Sequence, residues 1–312
     1  MRILAVEDNK DLRHLLGVYL EAQDHEYVRT AASGADALTI IQDTPIPFDC
    51  FLLDIQMPEM SGIELITYIR QIPGYEFVPI IMLTGVKNSD SIAKAFAAGA
   101  WDYIVKPFEF FELETRIHGA ELRNAEFIRH IKRPHESPSQ EKYEVLQKIA
   151  LERPMTPADL SKSGLVTEDA FENYIMRMQS EFGGDTTVAV IAVQNFAQLM
   201  ASFSEPQRNQ YTVKLAVALS EALKPMNLML TYRANGIFAA ALLDAEMQAN
   251  SSLDKAVARA VASVELASSD LAIQAVVEVG YCVTKDLWTG SDTMIAVDTA
   301  AQELGCAPRA MM

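Results

Sequence analysis

Short apolar runs punctuate the first 120 residues, each followed by a polar residue and then by a helical pattern. Ile3-Leu4-Ala5-Val6, Phe51-Leu52-Leu53, Ile80-Ile81-Met82-Leu83 and Tyr103-Ile104-Val105 are the clearest. Runs that are apolar throughout, rather than alternating, suggest parallel strands covered on both faces. Strands are expected near 2–6, 26–31, 49–53, 79–83 and 102–105, with helices near 9–22, 35–42, 62–71, 89–98 and from 109 onward. Strand and helix alternating five times predicts a doubly wound α/β domain over residues 1–121.

Beyond it the pattern changes twice. Phe110, Leu113, Ile117, Ala120, Asn124, Phe127 and Ile131 keep a 3–4 spacing past the point where the sheet should be covered. This predicts a protruding rod or a dimer seam over 110–131, with Asn124 at a core position that would fix register. Residues 122–183 are expected to be a helical linker or small helical module. The polar, proline-bearing stretch 133–140 would be followed by helices at 141–152, 156–161 and 167–182. Residues 184–312 predict a third segment: strand (186–193), long helix (195–223), strands (227–232 and 236–243), helix (249–268), strand (272–283) and helix (291–304). Asn235-Gly236 between apolar runs is a strong hairpin signal, because both residues tolerate positive φ. The order β-α-β-β-α-β is that of ferredoxin-like, α+β domains, which also underlies nucleotidyl cyclases.

The net charge of −16 is distributed, with 10 basic and 19 acidic side chains in residues 1–123 and 8 and 13 in residues 183–312. No segment has the basic excess that counterion release exploits on nucleic acid. Residues 141–182 resemble a helix-turn-helix in spacing, but Glu168, Asp169, Glu172 and Glu181 weigh against a recognition helix facing phosphates. No apolar run reaches the length of a membrane span. Cys50, Cys282 and Cys306 are scattered in apolar contexts, as expected of buried thiols in a reducing cytoplasm.

In an open parallel sheet the carboxyl ends of the strands gather at one edge, where ligands bind. Glu7, Asp8, Asp54, Thr84 and Lys106 all fall there. Three carboxylates, a hydroxyl and an ammonium suit a divalent cation and a phosphoryl group. Asp8 and Asp54 can hold magnesium (Mg2+) with Glu7 on a bound water, since this ion takes few carboxylates and keeps its waters. Lys106 and Thr84 can meet phosphoryl oxygens.

Ala5-Val6-Glu7-Asp8-Asn9, Leu53-Asp54-Ile55-Gln56-Met57-Pro58, Met82-Leu83-Thr84-Gly85 and Asp102-Tyr103-Ile104-Val105-Lys106-Pro107-Phe108 together resemble the receiver domain of two-component response regulators. The resemblance implies phosphorylation of Asp54 by a histidine kinase, a phosphotransfer protein or a small phosphodonor. It implies magnesium on Glu7, Asp8, Asp54 and the backbone carbonyl of Gln56. Thr84 and Tyr103 match the switch pair, with Tyr103 moving inward from an outward rotamer, and Lys106 precedes a cis peptide. A downstream signalling protein and a homodimer through the fifth helix are the further partners expected.

Residues 185–307 resemble a GGDEF-type diguanylate cyclase domain through Val188–Phe196, Tyr232–Leu242, Val277–Tyr281 and the closing helix. The family's chemistry is missing from it. Ala192 and Gln194 stand where first-strand aspartates belong, and Ala234-Asn235-Gly236-Ile237-Phe238 replaces the signature hairpin. Met200, Pro225 and Leu228 fall at positions of guanine reading and product inhibition. The resemblance therefore implies a degenerate, inactive output domain with no catalytic residues, the alternatives being a DNA-binding output through 141–182 and an active or nucleotide-sensing cyclase-like domain.

Overall fold

The computed structural model describes residues 1–23, 25–85, 89–132, 163–182, 186–201, 203–226, 228–242, 252–264, 275–284 and 290–306. The chain divides into two compact units, Met1–Glu136 and Ser137–Met312.

In the first unit, β1 (Arg2–Val6), β2 (Tyr27–Ala31), β3 (Cys50–Asp54), β4 (Ile80–Thr84) and β5 (Asp102–Val105) form one parallel sheet in the order β2-β1-β3-β4-β5. Five helices connect and cover it: α1 (Lys10–Ala22), α2 (Gly34–Asp43), α3 (Gly62–Ile69), α4 (Ser89–Ala98) and α5 (Phe110–Lys132). The strands are apolar throughout because both faces are covered, and every residue of β3 and β4 is buried. Ile3, Ala5, Leu52, Ile81, Leu83 and Ile104 pack on one face against Leu16 and Leu20 of α1 and Leu113, Ile117 and Ala120 of α5. Helix starts are specified locally. The Asn9 side chain accepts from the amides of Asp11 and Leu12, each at 3.0 Å. Ser61 and Glu64 form a reciprocal capping box at the start of α3.

α5 runs on to Lys132, as the apolar stripe predicts. Asn124, however, is engaged within its own unit. Its Nδ2 donates to the carbonyl of Asp49 at 2.7 Å, so it ties α5 to the loop before β3 instead of lying free for a coiled-coil seam. The residues 133–162, where a linker and two helices are expected, lie outside the described residues.

In the second unit, β6 (Thr186–Val193), β7 (Met229–Ala234), β8 (Ile237–Leu242) and β9 (Val277–Thr284) form an antiparallel sheet in the order β7-β8-β6-β9. The hairpin falls where the sequence places it, with φ of 51° at Asn235 and 76° at Gly236. Two other expectations need correction. The single helix expected over 195–223 is two, α7 (Phe196–Ala201) and α8 (Glu205–Leu223). The restart is stabilised by Gln207, whose Oε1 accepts from the Ser204 amide (2.9 Å) and hydroxyl (2.7 Å), while Pro206 sits in the first turn, where no amide is needed.

The second correction concerns α6 (Glu168–Phe182), assigned from sequence to a separate helical module over 122–183. It packs instead on the sheet of the second unit. Ala189, Ile191 and Val193 face a core made with α7, α8 and α9 (Ser252–Ser263). The intervening Val188, Val190 and Ala192 are equally buried, and α6 and α10 (Gly290–Glu303) supply their cover with Phe171, Tyr174, Ile175, Met294 and Val297. A sheet that is apolar on both faces needs a layer on each side. Arg233, at the end of β7, ties these two helices together. It pairs with Glu168 of α6 and makes a two-pronged contact with Asp298 of α10 at 3.1 and 3.0 Å.

Candidate functional site at the carboxyl edge of the parallel sheet

Strand order decides which polar residues meet. β1, β3, β4 and β5 are consecutive neighbours, so Glu7, Asp54, Thr84 and Lys106 at their carboxyl ends are brought together although 99 positions separate the first from the last. The Lys106 ammonium bridges two carboxylates, lying 2.6 Å from Glu7 Oε2 and 2.9 Å from Asp54 Oδ2. Glu7, Asp8 and Asp54 each offer a carboxylate oxygen, and these atoms lie within 4.8 Å of one another. Glu7 and Asp54 are buried and Asp8 is exposed. Burial pushes the Glu7 carboxyl above its ordinary range, the negative charge of Asp54 adds to the rise, and Lys106 offsets part of both. Against one ammonium stand three carboxylates. The excess of negative charge, all on hard oxygen donors, fits a divalent cation such as magnesium.

The edge is shaped by backbone as much as by side chains. The amide of Gln56 donates to Asp54 Oδ1 at 3.2 Å, orienting the carboxylate. The amide of Lys106 donates to the Thr84 carbonyl at 2.6 Å, and the following Lys106–Pro107 peptide is cis, as the resemblance implies. Gly62 approaches so closely that a methyl group there would stand 2.1 Å from the Asp54 carbonyl oxygen, a contact only glycine permits. Thr84 is fully buried beside these groups. Tyr103 differs from the expected starting position, for its ring already lies inside, edge-on to Phe96 at 6.1 Å between centroids. Burial of the ring against Phe96 favours that placement.

Sequence reasoning overlooks Arg13. Its Nη1 donates to the carbonyls of Glu7 at 2.7 Å and Asp8 at 3.0 Å, clamping the turn that carries both acids. A basic residue one helical turn inside α1 was the available signal.

The positions singled out in the second unit lie apart from any such chemistry. Ala192 pairs with Glu278 across the sheet, and Gln194 Nε2 donates to Glu278 Oε2 at 2.8 Å and to the Leu304 carbonyl. Gly236 turns the hairpin, and the Phe196 ring presses so close that a side chain there would begin 2.5 Å from it. The one acidic group of metal-binding geometry among the described residues is Glu7, Asp8 and Asp54. Among the described residues no helix is long and apolar enough to cross a membrane.

Residues 3–118 match the family model of the response regulator receiver domain. The transcriptional regulatory protein SrrA of Staphylococcus aureus is 37% identical over 115 residues, which are 37% of this chain and 45% of SrrA. The chain thus spans under half the length of the curated relatives it matches. Among solved structures, the chemotaxis response regulator CheY4 of Vibrio cholerae is 32% identical over 38% of this chain and 97% of its own, with a TM-score of 0.36. A putative response regulator from Chloroflexus aurantiacus is 34% identical over 38% and 95%, also with a TM-score of 0.36. The first unit is therefore a response regulator receiver domain, the signal-accepting part of a two-component system.

Proposed function

We propose that Asp54 is the phosphoacceptor of this receiver and that its modification is relayed to the second unit. The bridge from Lys106 to both Glu7 and Asp54 carries this reading, because it marks where one cation now balances carboxylates that a phosphoryl group and a divalent ion would share. Asp8 and Asp54, with Glu7 through a water and the carbonyl of Gln56, would hold magnesium, which when bound neutralises charge developing on the phosphoryl oxygens. Asp54 attacks phosphorus with one carboxylate oxygen, and the donor's bond to phosphorus breaks as the new bond forms. Lys106 then turns from the free carboxylate to a phosphoryl oxygen, and the Thr84 hydroxyl donates to another. The donor is a histidine kinase or phosphotransfer protein, or a small phosphodonor.

The added charge of about −1.5 to −2 is what the switch reads. Thr84 and Tyr103 transmit it to the face of α4, β5 and α5, and α5 carries it along its length, with a homodimer through residues 110–131 as one route. For the second unit the strand order β7-β8-β6-β9, with all neighbours antiparallel, supports a ferredoxin-like, cyclase-like domain. Ala192 and Gly236 in place of carboxylates support an inactive one that docks a downstream signalling protein or dimerises, within the cytoplasm. A DNA-binding output through 141–182 is the competing reading. That SrrA is a transcriptional regulatory protein favours it; the burial of Phe171, Tyr174 and Ile175 of α6 against their own sheet opposes it.

Incubation with acetyl phosphate and magnesium, followed by intact mass and peptide mapping, should add one PO3 unit on Asp54 and none in Asp54→Asn. A label on another residue, or no label, overturns the phosphoacceptor reading. Formation of a cyclic dinucleotide from GTP by beryllofluoride-treated protein would overturn the inactive-domain reading, and salt-sensitive, tight DNA binding would favour the competitor.

A further inference from the structure

At the opposite end of the same sheet, where β1 and β2 begin, a cleft of about 330 Å³ opens between the strands and the loop after α2. That volume is at the small end of ligand pockets. Two guanidiniums bracket one aromatic ring in it. Arg2 lies over the Tyr27 ring at 4.2 Å, and Arg29 Nη1 donates to the Tyr27 hydroxyl at 3.1 Å. The Arg2 side chain is only 12% exposed, and its Nε is fixed on the Pro47 carbonyl at 3.2 Å. Its one ion pair among the described residues is with Glu26, which stands 3.7 Å from Nη1 and is mostly in solvent, while the Asp49 carboxylate accepts from the Arg2 backbone amide at 2.8 Å. Arg29 makes no ion pair among the described residues, and neither does Asp43, the one carboxylate lining the cleft. The remaining wall is apolar, made by Ile40, Pro45 and Ile46, the last of these 55% exposed.

One largely buried and one exposed guanidinium, with the solvent-exposed Glu26 the single acid paired to either among the described residues, keep donors free for an anion. A planar guanidinium meets a carboxylate or phosphate with two parallel hydrogen bonds, and the adjoining apolar wall takes a hydrocarbon body. We propose that this cleft binds a small organic anion, a carboxylate or phosphate head on a compact apolar body, at a site distinct from the acidic cradle. Arg2 and Arg29 take the head, and Ile46 with Pro45 covers the body. Without a divalent cation the three carboxylates of the cradle disfavour such a ligand, so the titration is run free of magnesium.

The test is amide chemical-shift titration of the full chain with phenyl phosphate, benzoate, inorganic phosphate and benzyl alcohol. Phenyl phosphate or benzoate should shift the amides of residues 2, 27, 29 and 44–46 saturably, and whichever binds more tightly identifies the head group. Arg29→Gln, an exposed substitution, should weaken that binding about tenfold, the loss expected of one charged hydrogen-bonding pair. Ile46→Ser should weaken phenyl phosphate and leave inorganic phosphate unchanged. Equal affinity for inorganic phosphate and phenyl phosphate, equal affinity for benzyl alcohol, no saturable shift with either organic anion, or undiminished binding in Arg29→Gln would each overturn the proposal.

Discussion

Removing the Lys106 ammonium should separate two properties of the cradle that ordinarily go together. In Lys106→Ala the oxygens of Glu7 and Asp54 lose a cation that stands 2.6 and 2.9 Å away. A divalent ion held by the Asp54 oxygen would lie at most about 5 Å from Nζ, given metal–oxygen distances of about 2.1 Å. Coulomb repulsion between charges of +2 and +1 at that separation is about 2 kcal/mol even at the permittivity of water, and more in a partly buried site. The variant should therefore bind magnesium more than tenfold more tightly than the parent protein. Phosphorylation by acetyl phosphate should nevertheless slow by about 10²-fold or more, because a fixed donor to the transferring group is gone. Magnesium affinity is read by calorimetry and phosphorylation by intact mass against time. Should the variant bind magnesium equally or more weakly, Lys106 is not competing for the carboxylates, and the electrostatic account of the cradle is wrong.

Three further outcomes follow from particular contacts. Gly62→Ala should destabilise the first unit by about 2–4 kcal/mol in urea melts and slow phosphorylation, since its methyl group cannot stand 2.1 Å from the Asp54 carbonyl; an unchanged midpoint would show that α3 gives way freely. Asn124→Ala should cost about 1 kcal/mol, the worth of one hydrogen bond, with an unaltered oligomer distribution by light scattering; a shift in that distribution would return Asn124 to a dimer seam. Glu172, whose pKa is pushed up to about 8 by burial and by Asp169 and Glu168 against the opposing pull of Arg233, favours the protonated folded state. Its contribution is complete below the unfolded value near 4.5 and is lost as pH rises toward about 8, at no more than about 1.4 kcal/mol per pH unit. Glu172→Gln should flatten the stability profile across that window, and parallel profiles for the two proteins would refute the assignment.

The amino-acid sequence alone determined the parallel sheet and its acidic edge. Strands buried on both faces must be apolar throughout, so β1, β3 and β4 announce themselves, and the first polar residue after each is where the chain reaches the functional edge. Even the hairpin at Asn235-Gly236 is local chemistry, two residues that accept positive φ. Tertiary structure decided what touches what. Periodicity says that one stripe of α6 is buried but not which surface buries it, and the sheet of the second unit, apolar on both faces, claimed that helix from the linker. The same ambiguity placed Asn124 in a seam when the Asp49 carbonyl, 75 positions away, had use for its amide. The Arg2–Tyr27–Arg29 cleft was equally illegible, because it exists only once two parallel strands set distant residues side by side. Local propensities and apolar runs are written along the chain, whereas partners across a fold depend on packing that no single segment contains.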